Sequence, residues 1–233
     1  MTTFALDTAT ASPSLALLRG HDPLAELWLA PEPGSGRRVL EAAHGLLASA
    51  GRAVGDITDI VVGVGPGGFT GLRIGLATAL GLGQALRVPV VGASSLEALA
   101  LGIAEAAPPG APVAPVLDVR RGELFCAAYR TGEDGSLAEL LPPAARAPGD
   151  LARLLAALGD EVWLGGDGVA AGGDALDAPG LRAPAPGAAA HRISAVALAR
   201  RAAAGAVLPA RPVYARLPDA EVNRRAALAA RGG

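Results

Sequence analysis

Short apolar runs bounded by polar or proline-bearing turns open the chain. Phe4 to Thr8, Ser14 to Leu18 and Leu24 to Leu29 have strand length, and their close spacing predicts an antiparallel meander. The period then changes. Between Arg37 and Ala50, Val39, Leu40, Ala43, Leu46 and Leu47 recur at helical spacing, which predicts an amphipathic helix. A strand at Ile60 to Val64 leads into an apolar helix from Thr70 to about Leu86, and a short strand at Val88 to Val91 follows. Ser94 to Glu97 has capping-box spacing and predicts a helix from Ser95 towards Ala106. The order is β-β-β-α-β-α-β-α.

Around Pro108-Pro109-Gly110 the pattern breaks and starts again. Val116-Leu117-Asp118 echoes Ala5-Leu6-Asp7, and Leu137-Ala138-Glu139-Leu140 echoes Leu24-Ala25-Glu26-Leu27, at offsets of 111 and 113 residues. A helix near Pro148 to Leu158, a strand Glu161 to Leu164, a glycine-rich loop Gly165 to Gly173 and a helix from about Ile193 to Ala204 continue the second copy. Ala183 to Ala190 is low in complexity and predicts an exposed loop. Residues beyond Pro218 read as a short arginine-bearing helix or a frayed end. A meander followed by α-β-α-β-α, twice over, is the logic of the actin-like ATPase fold. Two ribonuclease H-like halves with mixed sheets flanked by helices are expected, an α/β protein divided at residues 1–107 and 108–233 with the second half abbreviated.

The turn Gly65-Pro66-Gly67-Gly68-Phe69-Thr70-Gly71 sits between a predicted strand and a predicted helix. Such a turn can hold an anion on unpaired amides, or it can simply let two backbones approach. No Walker lysine follows, and no dinucleotide fingerprint is complete. In the helix beyond, Gly71, Gly75, Ala79 and Gly83 form a ridge of small residues every four positions, while Leu72 and Leu76 help to make the rest apolar. A helix apolar all round must be covered all round. The ridge is expected either in the core or at a subunit interface, with Val39, Ala43 and Leu46 of the preceding helix in support. Its uncharged run is shorter than the ~20 residues a bilayer needs.

Composition narrows the classes. The 233 residues carry a net charge of −2, no lysine and only 3% aromatic residues, which argues against autonomous nucleic-acid binding. Cys126 is the sole cysteine and lies in an apolar strand, so no intrachain disulfide forms, and a buried thiol in a reducing, cytoplasmic setting is expected. No signal peptide is visible. His21, His44 and His191 have no metal-ligand spacing, and no Ser-His-Asp set assembles.

Four segments together resemble the bacterial TsaB (YeaZ) family, a subunit of the machinery that makes N6-threonylcarbamoyladenosine on tRNA. They are Ala5 to Thr10; Gly65 to Arg73 running on through Ala77; Ser94 to Leu99 paired with Asp118 to Glu123; and Pro212-Val213-Tyr214-Ala215-Arg216. Gly68 stands where the family usually has serine, which removes a potential cap hydroxyl. The resemblance implies a partner, the catalytic paralogue TsaD, whose metal-binding histidine pair opens a helix. Here that helix reads Ser95-Leu96-Glu97-Ala98-Leu99, with Ser95 and Leu99 in the histidine places, and neither side chain can share a metal with the other.

The resemblance further implies a chain that is not an enzyme on its own. It would bind and activate a TsaD-like subunit, work with a TsaE-like ATPase, form a homodimer when alone, and meet tRNA only through the complex, away from any membrane. No cofactor is expected to bind tightly to this chain alone, while ATP or ADP could bind in the complex. Residues near such a nucleotide would be Asp7, Gly65, Gly67, Gly68 and Asp118, because acidic residues at these places position Mg-ATP in active members of the superfamily. The other role for Asp7 is to hydrogen-bond turn amides. Two alternatives stay open: an autonomous ATP-dependent phosphotransferase of the sugar-kinase type, and a purely structural homodimer.

Overall fold

A computed structural model describes residues 1–32 and 38–214. The chain begins with β1 (Thr2–Asp7), β2 (Ser14–Arg19) and β3 (Asp22–Trp28), then α1 (Val39–Ser49), β4 (Asp59–Gly63), α2 (Phe69–Leu86), β5 (Val90–Ala93) and α3 (Ser95–Ala104). The second copy is β6 (Pro112–Asp118), β7 (Leu124–Thr131), β8 (Leu137–Arg146), α4 (Pro148–Ala156), β9 (Val162–Gly165), α5 (Gly168–Gly172), β10 (Leu181–Arg182) and α6 (Ala195–Ala203). The sheets run β3-β2-β1-β4-β5 and β8-β7-β6-β9-β10, so each strand of the first has its counterpart in the second. The meanders β1-β2-β3 and β6-β7-β8 are antiparallel, while β1-β4-β5 and β6-β9-β10 are parallel. This is the duplicated, actin-like α/β architecture that the element order predicts. The abbreviation falls on α5 and β10, five and two residues long against 18 and four for α2 and β5.

Three apolar clusters stack the elements in layers. The outer face of the first sheet (Phe4, Leu6, Leu15, Leu17, Ile60, Val62) packs on α1 and α2 through Val39, Leu46, Leu76 and Ala79. The outer face of the second (Val116, Cys126, Val162, Leu164) packs on Leu151 and Leu155 of α4. Between the sheets lies the third cluster, where Ala5, Ala16 and Val61 share one core with Leu99, Ile103, Val113, Leu117 and Leu198. There the halves trade helices: α3 lies on β6 and β9, and α6 lies on β1 and β2. Glu97 of α3 takes both Nε and Nη2 of Arg201 of α6, at 2.9 and 2.6 Å.

Several boundaries move. The predicted strand Val88 to Val91 forms two residues later, because Val88 is still tied to Gly83 by its amide at the end of α2. Ser94 caps α3 as expected, with Oγ accepting the Glu97 amide at 3.3 Å. The glycine-rich stretch Gly165 to Gly173 is not only loop, since α5 forms inside it. Arg37 and the residues beyond Tyr214 lie outside the described residues. No helix among those described is long and apolar enough to cross a membrane.

Candidate functional site

Two amides of the glycine-rich turn after β4 are used within the chain. Gly65 N donates to Ser95 Oγ at 3.1 Å, Gly65 O accepts from Ser95 N at 3.0 Å, and Gly68 N donates to Ala9 O at 2.7 Å. A Cβ on Gly67 would lie 2.5 Å from the Cβ and the carbonyl oxygen of Ala9, and one on Gly65 would overlap the Val213 carbonyl. Close approach of three backbone segments therefore accounts for these glycines, and the amides of Gly65 and Gly68 do not face an anion.

Asp7, at the end of β1, is sealed beneath the same turn. Its Oδ1 accepts the Ala9 amide at 2.8 Å and its Oδ2 accepts Ser95 Oγ at 2.5 Å, with 1% of the residue exposed. Burial pushes the carboxyl above its ordinary value of 3.8, opposed by the hydrogen bonds from Ser95 and Ala9. A Cβ on Gly63 would overlap Oδ2, so the group has no free side through which to reach a nucleotide. Ser95 and Leu99 are both fully buried, one closed on Asp7 and the other in the shared core. No cluster of three or more potential metal ligands occurs among the described residues.

Asp118 ends β6 as Asp7 ends β1, and it repeats the local bond, with Oδ1 accepting the Arg120 amide at 2.7 Å. The surroundings differ. Where α3 begins with Ser95 after its Ser94 cap, α6 begins with Ala195 after its Ser194 cap, so the residue in the place of Ser95 carries no hydroxyl. Its side chain is 20% exposed and pairs with Arg120 at 3.2 Å. Its amide donates to Asp167 Oδ1 at 3.1 Å. Burial is the main cause that pushes Asp167 upward, partly offset by that amide. The two aspartates expected to flank one nucleotide thus stand in different settings, one closed and one partly exposed beside Asp167, which lines a cleft.

That cleft lies beyond the carboxyl ends of the parallel strands, where ligands of open α/β sheets collect. It encloses about 1020 Å³, bounded by Thr10, Ser12 and Trp28 of the first half and Asp167, His191 and Arg192 of the second. Trp28 Nε1 donates to Ile193 O at 2.9 Å, and the Arg192 guanidinium lies 5.5 Å from the Trp28 ring. The His191 ring stands between the Gly166 and Pro184 carbonyls, at 3.2 and 3.1 Å. Sequence reasoning missed Trp28, Asp167 and Arg192 because they meet only across the two halves. The one local signal was Asp167 just after a strand and two glycines.

The nine residues expected at a subunit interface lie mainly inward, which corrects the ridge as a contact surface. Leu72, Gly75, Leu76, Ala79 and Gly83 are buried, as are Val39, Ala43 and Leu46 of α1, while Gly71 is half-buried. Added Cβ atoms on Gly71 and Gly75 would overlap Thr8, and one on Gly83 would overlap Val90, so the ridge is there to seat α2 on its own sheet. The faces these helices leave to solvent are the opposite ones: Leu40, His44 and Ala48 on α1, and Arg73, Ala77 and Leu80 on α2. At the start of α2, Phe69 lies 5.2 Å from the Tyr214 ring and 3.8 Å beneath the Arg73 guanidinium. Cys126 is fully buried as expected, and burial pushes its thiol up to about 12, far from a nucleophile's range.

Comparison with known proteins follows the same lines. The family model described as TsaD, tRNA N6-adenosine threonylcarbamoyltransferase, matches residues 35–159. The chain is 34% identical over 142 residues to the Bacillus subtilis tRNA threonylcarbamoyladenosine biosynthesis protein TsaB, covering 61% of this chain and 60% of that protein. It is 35% identical over 135 residues to the Escherichia coli protein of the same name, covering 58% of each. The matches thus span about 60% of the length of these curated relatives. YeaZ from Pseudomonas aeruginosa superposes with a TM-score of 0.69 at 26% identity, covering 91% of this chain and 100% of that one. A second structure, described as an uncharacterized protein with similarity to peptidase YeaZ from the same organism, gives 0.73 at 28% identity, covering 92% and 99%.

Proposed function

Since the chain belongs to the family described as TsaD, tRNA N6-adenosine threonylcarbamoyltransferase, and within it to the TsaB (YeaZ) group, we propose that it is a non-catalytic subunit that binds and activates a TsaD-like paralogue in threonylcarbamoyladenosine synthesis. The observation that carries this is the closure of Ser95 on Asp7 beneath the glycine turn. The place from which an actin-like active site would work is occupied by the chain's own side chains, and Leu99 is packed where a metal-binding histidine would stand. A TsaE-like ATPase, tRNA reached only through the complex, and a homodimer in the partner's absence complete the proposal.

The outer faces of α1 and α2 are the proposed contact. They carry Leu40 at 57% and Leu80 at 47% exposure amid Ala48, Ala77 and Gly81, a pattern suited to a second helix pair. A pair of variants separates the two faces. Leu80→Glu should leave thermal unfolding within a degree or two of wild type yet weaken association with the TsaD-like subunit at least 10-fold, read by size exclusion with light scattering. Ala79→Leu, on the buried face, should instead cost roughly 1–3 kcal/mol of stability through overpacking. If Leu80→Glu associates like wild type, the outer face is not the contact.

Activity is tested by adding the chain to its TsaD-like partner with threonylcarbamoyl-adenylate and unmodified tRNA. Modification should depend on both proteins, and this chain alone should give none. The volume of the interlobe cleft is what favours the phosphotransferase reading. On the present proposal, calorimetry of the isolated chain should show ATP binding no tighter than tens of micromolar. Sub-micromolar binding would favour the phosphotransferase.

A further inference from the structure

The turn between β6 and β7 holds three successive residues in the left-handed region: Arg120 at φ 68°, Arg121 at 57° and Gly122 at 75°. Side chains with a Cβ adopt this conformation at a cost, and a run of it is rarer than single instances. The one other non-glycine residue with positive φ among those described is Arg87, which caps the end of α2, a place where the left-handed conformation is usual. The β6–β7 turn ends no helix. Glycine at 120 or 121 would make the same turn with less strain, yet both places carry arginine.

The surroundings hold this conformation firmly. Asp118 Oδ1 accepts the Arg120 amide, Arg120 O accepts the Glu123 amide at 3.2 Å, and Val119 N closes the hairpin on Glu123 O at 3.3 Å. Asp118 is in turn braced by Asp167 at the end of β9. The result is a stiff, exposed turn, with the Arg120 side chain 82% exposed and paired with Asp118 at its base. Strain held in place by over-determined surroundings is a mark of function, and what this strain presents is a guanidinium.

We propose that the Arg120 turn is a phosphate contact, and that the phosphate belongs to the RNA backbone. This rests on the role in tRNA modification proposed above. The turn projects and encloses nothing, so it lacks the concavity that captures a free nucleotide. A phosphodiester held in position by the rest of an assembly needs no such enclosure, and one well-oriented arginine suffices to register it. The chain's weak overall charge fits the same division of labour: it contributes a single point of contact instead of a basic surface.

The test uses the complex of the full chain with its TsaD-like partner and unmodified tRNA, with affinity measured by anisotropy across a salt series. Arg120→Gly relaxes the backbone and removes the guanidinium, while Arg120→Lys keeps the charge. Arg120→Gly should show an unchanged or raised melting midpoint and normal association with the partner. Its plot of log affinity against log salt should be shallower by about 0.7–0.9, the value of one lost phosphate contact, and Arg120→Lys should restore most of the slope. A parallel titration with ADP and inorganic phosphate should not distinguish the variants. Equal salt slopes for wild type and Arg120→Gly would overturn the proposal, as would an effect seen only with ADP or phosphate. If the wild-type complex does not form, or does not modify tRNA, the functional reading itself fails and takes this inference with it.

Discussion

Gly63→Ala is expected to cost about 3–5 kcal/mol, a large share of the stability of an ordinary domain. The new Cβ would overlap Asp7 Oδ2 and stand 2.7 Å from its Cγ and 2.9 Å from Ser95 Oγ. Overpacking alone costs roughly 1–3 kcal/mol, and relief here means breaking the Ser95–Asp7 hydrogen bond, worth about 1.5–3 kcal/mol when the acceptor is charged. A domain holds only about 5–15 kcal/mol in total. The control lies on α2, where a Cβ on Gly81 meets nothing within 4 Å. Gly81→Ala should raise stability by up to about 1 kcal/mol through helix propensity. Urea midpoints for the two variants check both signs. A wild-type midpoint for Gly63→Ala would mean that the Asp7 carboxyl is not closed in as described.

Ser95→Ala should cost about 2–4 kcal/mol at neutral pH and distinctly less in acid. It strips a donor from a buried carboxylate and an acceptor from the Gly65 amide. Burial already holds the Asp7 carboxyl above 3.8 in the folded chain. Between that value and the raised one the native state binds more protons than the unfolded state, so the Asp7 contribution to stability falls as pH rises through the window. Each unit of displacement is worth about 1.4 kcal/mol. The Ser95 bond opposes the displacement, so losing it moves the window further up. Below the ordinary aspartate value the carboxyl is neutral in both states and the penalty shrinks to the loss of neutral hydrogen bonds. Urea titrations of wild type, Ser95→Ala and Asp7→Asn from pH 4 to pH 8 read this directly, and Asp7→Asn should flatten the difference. A pH-independent Ser95→Ala penalty would contradict a buried, titrating Asp7.

Much of this was legible one residue at a time. The short apolar runs Phe4 to Thr8 and Ser14 to Leu18 mark a meander, Ser94 and Glu97 mark a helix start, and Asp7 with Asp118 betrays the duplication, because each depends on local spacing. The cleft was not legible, since Trp28 and Arg192 are 164 positions apart and come together only when α6 crosses to the first sheet. The direction of the α2 ridge was not legible either. Small residues permit close approach on any side, and only the position of Thr8 shows that the neighbour is the chain itself.

The trading of α3 and α6 between the sheets decides how the molecule can move. Two lobes joined only at a crossover could swing about it, opening and shutting on a ligand. Here such a swing would pull Leu99 and Ile103 off the second sheet, Leu198 off the first, and Arg201 from Glu97. A cut at residue 107 would divide the repeated sequence without dividing the core. The two halves are riveted into one body by this shared core. On the role proposed above, the chain would act on a partner by shape at the contact face, as a strut that props another protein's moving parts, with no stroke of its own.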